Sequence, residues 1–328
     1  MQKIKNFWQL IRDAGAGFHR HRVLKLSASL AYYTVFSIGP MLLVVIFFAN
    51  LFWGRQAIEG KVYGQISAMV GDGAALQIQE ILKNASVSGS SFTAVIGFVA
   101  LVVAATTAFI EMQDSINTIW NLKIKENTGW KLMIKNRLLS FSIVAGLGFL
   151  LLVSLVTNAL LEGFMNKLQQ IFPHVAVVVI YVSNLLLTLL VVAGLFAIIF
   201  KVLPDAIIRW KDVAAGALFT AVLFMIGKFC ITFYISKTNV ASTYGTASSL
   251  VVLLLWIYYS SVILYFGAEF TKAYALKYGS EIKPNKYAVT VQVVRVESGE
   301  NSVQENEKKA QETERSMQRA KETKKIPA

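Results

Sequence analysis

Six separate stretches of the sequence are apolar over twenty or more residues, and no other feature restricts the fold so tightly. A bilayer core about 30 Å thick is crossed by about 20 helical residues. Lipid offers no hydrogen-bond partners, so a crossing backbone closes its own bonds as a helix or a barrel. The stretches run Leu26–Trp53, Phe92–Trp120, Leu138–Leu161, Val175–Phe200, Val213–Ile235 and Ser248–Tyr274. A soluble chain of 328 residues would have to hide all six in one core, which surface-to-volume scaling makes untenable. Only 16% of the residues are charged, against roughly a quarter in soluble domains. The expected fold is all-α, a polytopic membrane protein with six transmembrane helices. The first stretch continues to Trp53 without a small-residue cleavage pattern, so it reads as a retained span rather than a signal peptide.

A formal charge of +13 invites a nucleic-acid reading. The distribution of the charge argues against it. Residues 1–25 carry six Lys and Arg, residues 121–137 carry five and residues 201–212 carry three. The intervening segments 162–174 and 236–247 carry one each, and the three cations of 54–91 are balanced by Glu59, Asp72 and Glu80. Basic residues collect on the cytoplasmic side of membrane proteins. The alternation therefore places both termini in the cytoplasm, and no nucleic-acid partner is expected.

Three parts follow. Residues 1–25 form a cytoplasmic amphipathic segment, because Ile4, Phe7, Trp8 and Ile11 share one helical face. Such a helix suits either the membrane interface or the protein's own surface. Residues 26–280 form the six-helix domain, with an extracytoplasmic helical segment at 54–91 broken at Gly71-Asp72-Gly73. Residues 281–328 form a cytoplasmic tail in which Val289, Val291 and Val293 alternate like a short strand. From Glu297 the tail is so polar that it cannot offset its ordering entropy, and disorder or a frayed helix is expected.

Ionisable groups inside spans cost about 2.5–3.5 kcal/mol at mid-depth on insertion scales, which makes each a functional candidate. Glu111, Asp114 and Asn117 step by three along the second span and share a broad face. Glu269 lies 21 residues past Ser248, and at about 1.5 Å per residue it falls at the same inner level. These four residues could line one cytoplasm-facing cavity as a substrate or proton pathway, or serve as structural pairing. Gly39-Pro40 interrupts the first span and marks a possible helix break. His19 and His21, beside Arg20 and Arg22, read as a basic segment that meets anionic head groups. With three histidines and the single Cys230, no clustered metal-ligand pattern, Walker loop or nucleophile elbow is present. Neither enzyme chemistry, a cofactor nor a metal is expected.

Several stretches carry a resemblance when taken together: Ser29-Leu30-Ala31-Tyr32-Tyr33-Thr34 with Pro40, Asn117 to Trp120, Leu203-Pro204-Asp205 with Trp210, and Tyr244-Gly245. The most specific is Leu255-Trp256-Ile257-Tyr258-Tyr259 followed by Phe266-Gly267-Ala268-Glu269-Phe270. In this order and spacing the chain resembles the YihY/virulence factor BrkB family over roughly residues 10–280, departing slightly at Gly245-Thr246-Ala247. The resemblance implies a multi-pass protein of the bacterial inner membrane with Tyr32, Tyr33, Pro204, Tyr244, Gly245, Trp256, Tyr259 and Gly267 as family positions. Relatives have been linked to serum resistance and envelope traits, and some once carried the label ribonuclease BN. The function expected is a transporter or lipid flippase with an envelope-related role. The alternative is a non-transporting scaffold of the envelope. Membrane lipids and envelope proteins are the expected partners.

Overall fold

The computed structural model describes residues 2–37, 91–125, 173–237, 248–279, 281–291 and 302–323. The predicted span Leu138–Leu161, the Gly39-Pro40 break, the Tyr244-Gly245 motif and segment 54–91 up to Ser90 lie outside these residues. The chain forms two compact units, Met1–Thr290 and Val291–Ala328.

Helices dominate the first unit. Helix α1 is Gln2–Arg20, and α2 is described over 23–37. Helices α3 (Ser91–Ile119), α4 (Pro173–Val202), α5 (Trp210–Lys237) and α6 (Ser248–Tyr278) follow. Their bounds lie within four residues of the predicted spans because hydropathy is a local property of the chain. Among the described residues, Leu185–Val202, Trp210–Ile231 and Leu250–Tyr278 are long and apolar enough to cross a membrane. Side chains such as Leu190, Ile226 and Phe229 point outward from these helices. Lipid covers such surface at no hydrophobic cost.

The described residues are mostly helical, as expected, with a minor strand component. Four short strands close one end of the bundle: β1 (Leu122–Ile124), β2 (Ala206–Ile207), β3 (Lys283–Pro284) and β4 (Ala288–Thr290). β4 pairs antiparallel with β1, setting Lys123 against Val289. β3 pairs antiparallel with β2, setting Ile207 against Lys283. Segment 281–290 is thus a strap across two interhelical loops. The Asn285 N–H donates to the Asp205 carbonyl at 3.0 Å, and the Lys125 N–H donates to the Tyr287 carbonyl at 3.0 Å. The first of these bonds satisfies the backbone carbonyl of buried Asp205.

The strap also fixes relative directions. The C-terminal ends of α3, α4 and α6 and the N-terminal end of α5 all meet at this cap. Helices α3, α4 and α6 run towards this end, and α5 leaves it. The buried core lies at the same end, around Ile116, Ile119, Phe200, Leu203, Val213 and Tyr265.

Helices α5 and α6 approach through small residues. A Cβ on Gly216 would lie 2.7 Å from Thr271 Cβ, and one on Gly267 would lie 2.8 Å from Thr220 Cβ. Each helix thus offers glycine and threonine four residues apart to its partner in reverse order. The Thr220 hydroxyl donates to the Gly216 carbonyl and Thr271 to Gly267, both at 2.7 Å. Both hydroxyls are satisfied within their own helices, and the pairing surface is left smooth.

The second unit takes up the helical alternative for the tail. Val303–Thr323 is a helix, here α7. Ser302 caps it, with its hydroxyl accepting from the Glu305 N–H at 3.2 Å. Ser302 and Glu305 have the spacing of a capping box, and Glu305 and Lys309 add an i, i+4 pair of opposite charge. Local terms of this kind form a solvated helix without a buried core.

Candidate functional site

Helix α1 carries its buried stripe on Leu10, Ala14 and Gly17, at helical spacing, against Phe270 of α6. Of the predicted face, Ile11 packs against the same cluster. Trp8 is 68% exposed, while Phe7 packs edge-on against Phe219 and Phe270. Gly17 sits in the stripe because the Glu269 carboxyl occupies the space of its missing side chain. A Cβ there would lie 2.7 Å from the carboxyl carbon.

One helical turn on, His21 meets that carboxyl. Its Nδ1 lies 2.5 Å from Glu269 Oε1, and its Nε2 lies 3.2 Å from Asn121 Oδ1. Glu269 is 3% exposed and the His21 side chain 11%. The placement of His21 corrects its reading as part of an exposed basic segment, because the turn after α1 carries the ring inward. Arg22 in that turn has φ 52°, and Asn121, just past the end of α3, has φ 58°. Asparagine tolerates this left-handed conformation better than most residues. An oxygen thus faces each of the two ring nitrogens. Lys272, one turn beyond Glu269, donates to the Ile119 carbonyl at 2.6 Å. Trp120 Nε1 donates to the Ala268 carbonyl at 3.2 Å. Together these bonds tie α1, α3 and α6 around one buried ion pair.

The predicted four-residue cavity separates into three surroundings. Asn117 is buried and bonds to Asp205 twice: its Nδ2 donates to Oδ2 at 2.8 Å, and its Oδ1 accepts from the Asp205 N–H at 2.9 Å. Gln113 Nε2 donates to the same Oδ2 at 3.3 Å. Asp114 is exposed and Glu111 half-buried, whereas Glu269 faces α1. A step of three residues advances about 300° around a helix, so Asn117 had already turned away from Glu111. Asp205, buried at 2% exposure, is the acid that sequence reasoning did not select. Its signal was a carboxylate next to Pro204 between two spans.

Burial holds the Asp205 carboxyl above the usual carboxylate range, and the Asn117 and Gln113 amides pull in the opposite direction. Burial, and then the Asp205 charge, hold the nearby Tyr287 phenol above 10. For a carboxyl raised on folding, the native state takes its proton first as pH falls. Its contribution therefore favours folding progressively more from above its native pKa down to 3.8. Asp205→Asn removes this proton uptake and keeps an acceptor for the two amides. The wild type is expected to gain stability over Asp205→Asn between neutral and acidic pH, read as the difference between their melting curves in detergent. A constant difference across that range would refute the assignment.

Among the family positions, Pro204 and Gly267 are buried, Trp256 and Tyr259 half-buried, and Tyr32 and Tyr33 exposed. Among the described residues, the Ser27 hydroxyl is buried without a hydrogen-bond partner, while the buried Ser115 and Tyr265 hydroxyls face each other. No group of three His, Cys, Asp or Glu is placed to hold a metal among the described residues.

The family model for virulence factor BrkB matches residues 14–290. The chain belongs to the virulence factor BrkB family. The match ends at Thr290, where the first compact unit also ends, so the BrkB-type region comprises the bundle, the ion pair and the strap. Curated relatives are named UPF0761 membrane proteins. One from Ralstonia nicotianae is 27% identical over 246 residues, covering 74% of this chain and 54% of its own length. This BrkB-family chain therefore spans about half of that relative. One from Mannheimia succiniciproducens is 26% identical over 265 residues, covering 77% of this chain and 85% of its own. One from Tolumonas auensis is 27% identical over 258 residues, with coverages of 76% and 80%. No solved structure matches.

Proposed function

We propose that the protein is a transporter of lipid-flippase type in the bacterial inner membrane, with six spans, its capped end in the cytoplasm and a role in the envelope. The observation that carries this reading is Glu269, a carboxylate 3% exposed on an apolar helix and paired across an element boundary with His21. Ionisable residues inside membrane helices are costly and mark substrate or proton routes. The pair belongs to two elements, so it can be made and broken as α1 and α6 move. Exposed Asp114 and half-buried Glu111 place further acids on α3 for a cationic or hydroxylated head group or a proton. In this reading no bond is made or broken in the substrate, and neither a cofactor nor a nucleic acid takes part.

The test is flux of labelled phospholipid in proteoliposomes. The wild type is expected to move lipid faster than protein-free vesicles, and Glu269→Gln to lose at least about tenfold, a barrier change of about 1.4 kcal/mol. Wild-type flux equal to that of empty vesicles would rule the reading out.

A second reading, a non-transporting scaffold with envelope protein partners, draws on α7, a capped, solvated helix in a unit of its own. Removing residues 291–328 would then abolish the envelope phenotype.

A further inference from the structure

We propose that α1 is a two-sided helix that binds the protein on one side and an anionic phospholipid surface on the other. The inference does not depend on transport. At about 100° per residue, Leu10, Ala14, Gly17 and His21 fall within one narrow sector, the one buried on α6. The apolar arc does not stop there. It continues round the helix through Ile11 and Gly15 to Trp8, which is 68% exposed, and a side chain added at Gly15 would meet nothing within 4 Å. The protein thus covers only part of the apolar surface. Beyond Trp8 the character changes at once: Arg12, Lys5 and His19 come next, all exposed, and the helix's lone acid, Asp13, lies further round on the water side. An apolar arc edged by cations is the pattern of a helix lying in a membrane interface.

The position of α1 along the bundle supports the same occupant. Phe7 packs on Phe219 and Phe270 near the capped ends of α5 and α6, and Lys277 Nζ donates to Gln9 Oε1 at 2.6 Å. Nearer the cap, Trp210 opens the apolar window of α5 and Tyr278 closes that of α6, 59% and 50% exposed. Lys201 Nζ lies over the Trp210 ring, 5.5 Å from its centroid. Exposed aromatic rings beside lysines at the ends of apolar helices mark the headgroup layer. The Gln9 contact with Lys277 therefore sets Trp8 just inside the boundary where a bilayer passes from chains to headgroups, with Arg12 and Lys5 on its polar border. Charge selects the partner, since an anionic headgroup neutralises both cations and a zwitterionic one does not.

The full chain reconstituted in phosphatidylcholine vesicles with a minor fraction of brominated phosphatidylglycerol tests this. Quenching at Trp8 is read as the difference between the wild type and Trp8→Phe. Brominated phosphatidylglycerol is expected to quench Trp8 well above its bulk fraction. In Lys5→Gln/Arg12→Gln the enrichment should fall by up to about 25-fold, at about fivefold per cation near an anionic surface. Brominated phosphatidylcholine should quench both proteins alike. If neither lipid quenches Trp8, the outer face meets water and the proposal fails. If phosphatidylglycerol quenches wild type and charge variant equally, the anionic preference fails. Added salt applied to the wild type gives the same readout without any charge variant: it must weaken the phosphatidylglycerol signal and spare the phosphatidylcholine signal.

Discussion

Gly267→Leu is expected to leave almost no monodisperse protein after detergent extraction. At this point α5 and α6 are separated by the thickness of a glycine, and even a methyl group would lie 2.8 Å from Thr220 Cβ. Transmembrane helices gain no hydrophobic energy from meeting each other, so close backbone contact is what holds such a pair. Overpacking of a core costs about 1–3 kcal/mol per site and more where backbone must separate, against a total stability of about 5–15 kcal/mol. Gly267→Ala should lower the melting temperature by a smaller step. Thr220→Gly added to Gly267→Ala should recover part of it, because it vacates the space the new methyl needs. Size-exclusion profiles and melting curves read all three variants. An unchanged profile for Gly267→Leu would show that the close approach is dispensable.

The second large effect concerns the buried pair, and it is expected to be asymmetric. His21→Ala leaves the Glu269 carboxylate 3% exposed without its ring partner, a loss of about 3–5 kcal/mol for a broken buried pair. Glu269→Ala costs less, because a neutral His21 still donates to Asn121 Oδ1. The double variant should be more stable than His21→Ala alone, since it removes the stranded charge together with its partner. Melting or denaturant curves of the four proteins form a cycle, and strictly additive losses would deny any coupling between the two residues. Gly17→Ala offers an independent probe, because its methyl competes with the carboxyl for one space.

The difference between what was readable and what was not follows the range of the forces involved. Span limits depend on runs of adjacent side chains, and α3 to α6 begin and end within four residues of their predicted positions. Family membership was readable in the same way, since motifs such as Leu255 to Tyr259 are contiguous. Asp205 was passed over because its partners Asn117 and Gln113 lie 88 and 92 residues away. His21 was misplaced because its neighbours Arg20 and Arg22 suggest a wet surface. The features that bury it are an absent side chain at Gly17 and a left-handed Asn121, both of which act only across helices. Strands of two and three residues have no period to detect. Only the alternating valines from Val289 hinted at β4, and polarity alone left the tail open between disorder and the helix seen in α7.

The strap has a consequence for how the molecule is made. Loops 120–125 and 203–209 are synthesised long before residues 281–290, yet their edge bonds and the tie to the Asp205 carbonyl come only from that late segment. Until then the two loops lack the partners that segment 281–290 brings them. Synthesis of that segment is therefore what fastens the two loops, so a chain broken off before Lys283 would lack this fastening. Any cellular machinery that discards unfinished membrane proteins would find both loops unfastened.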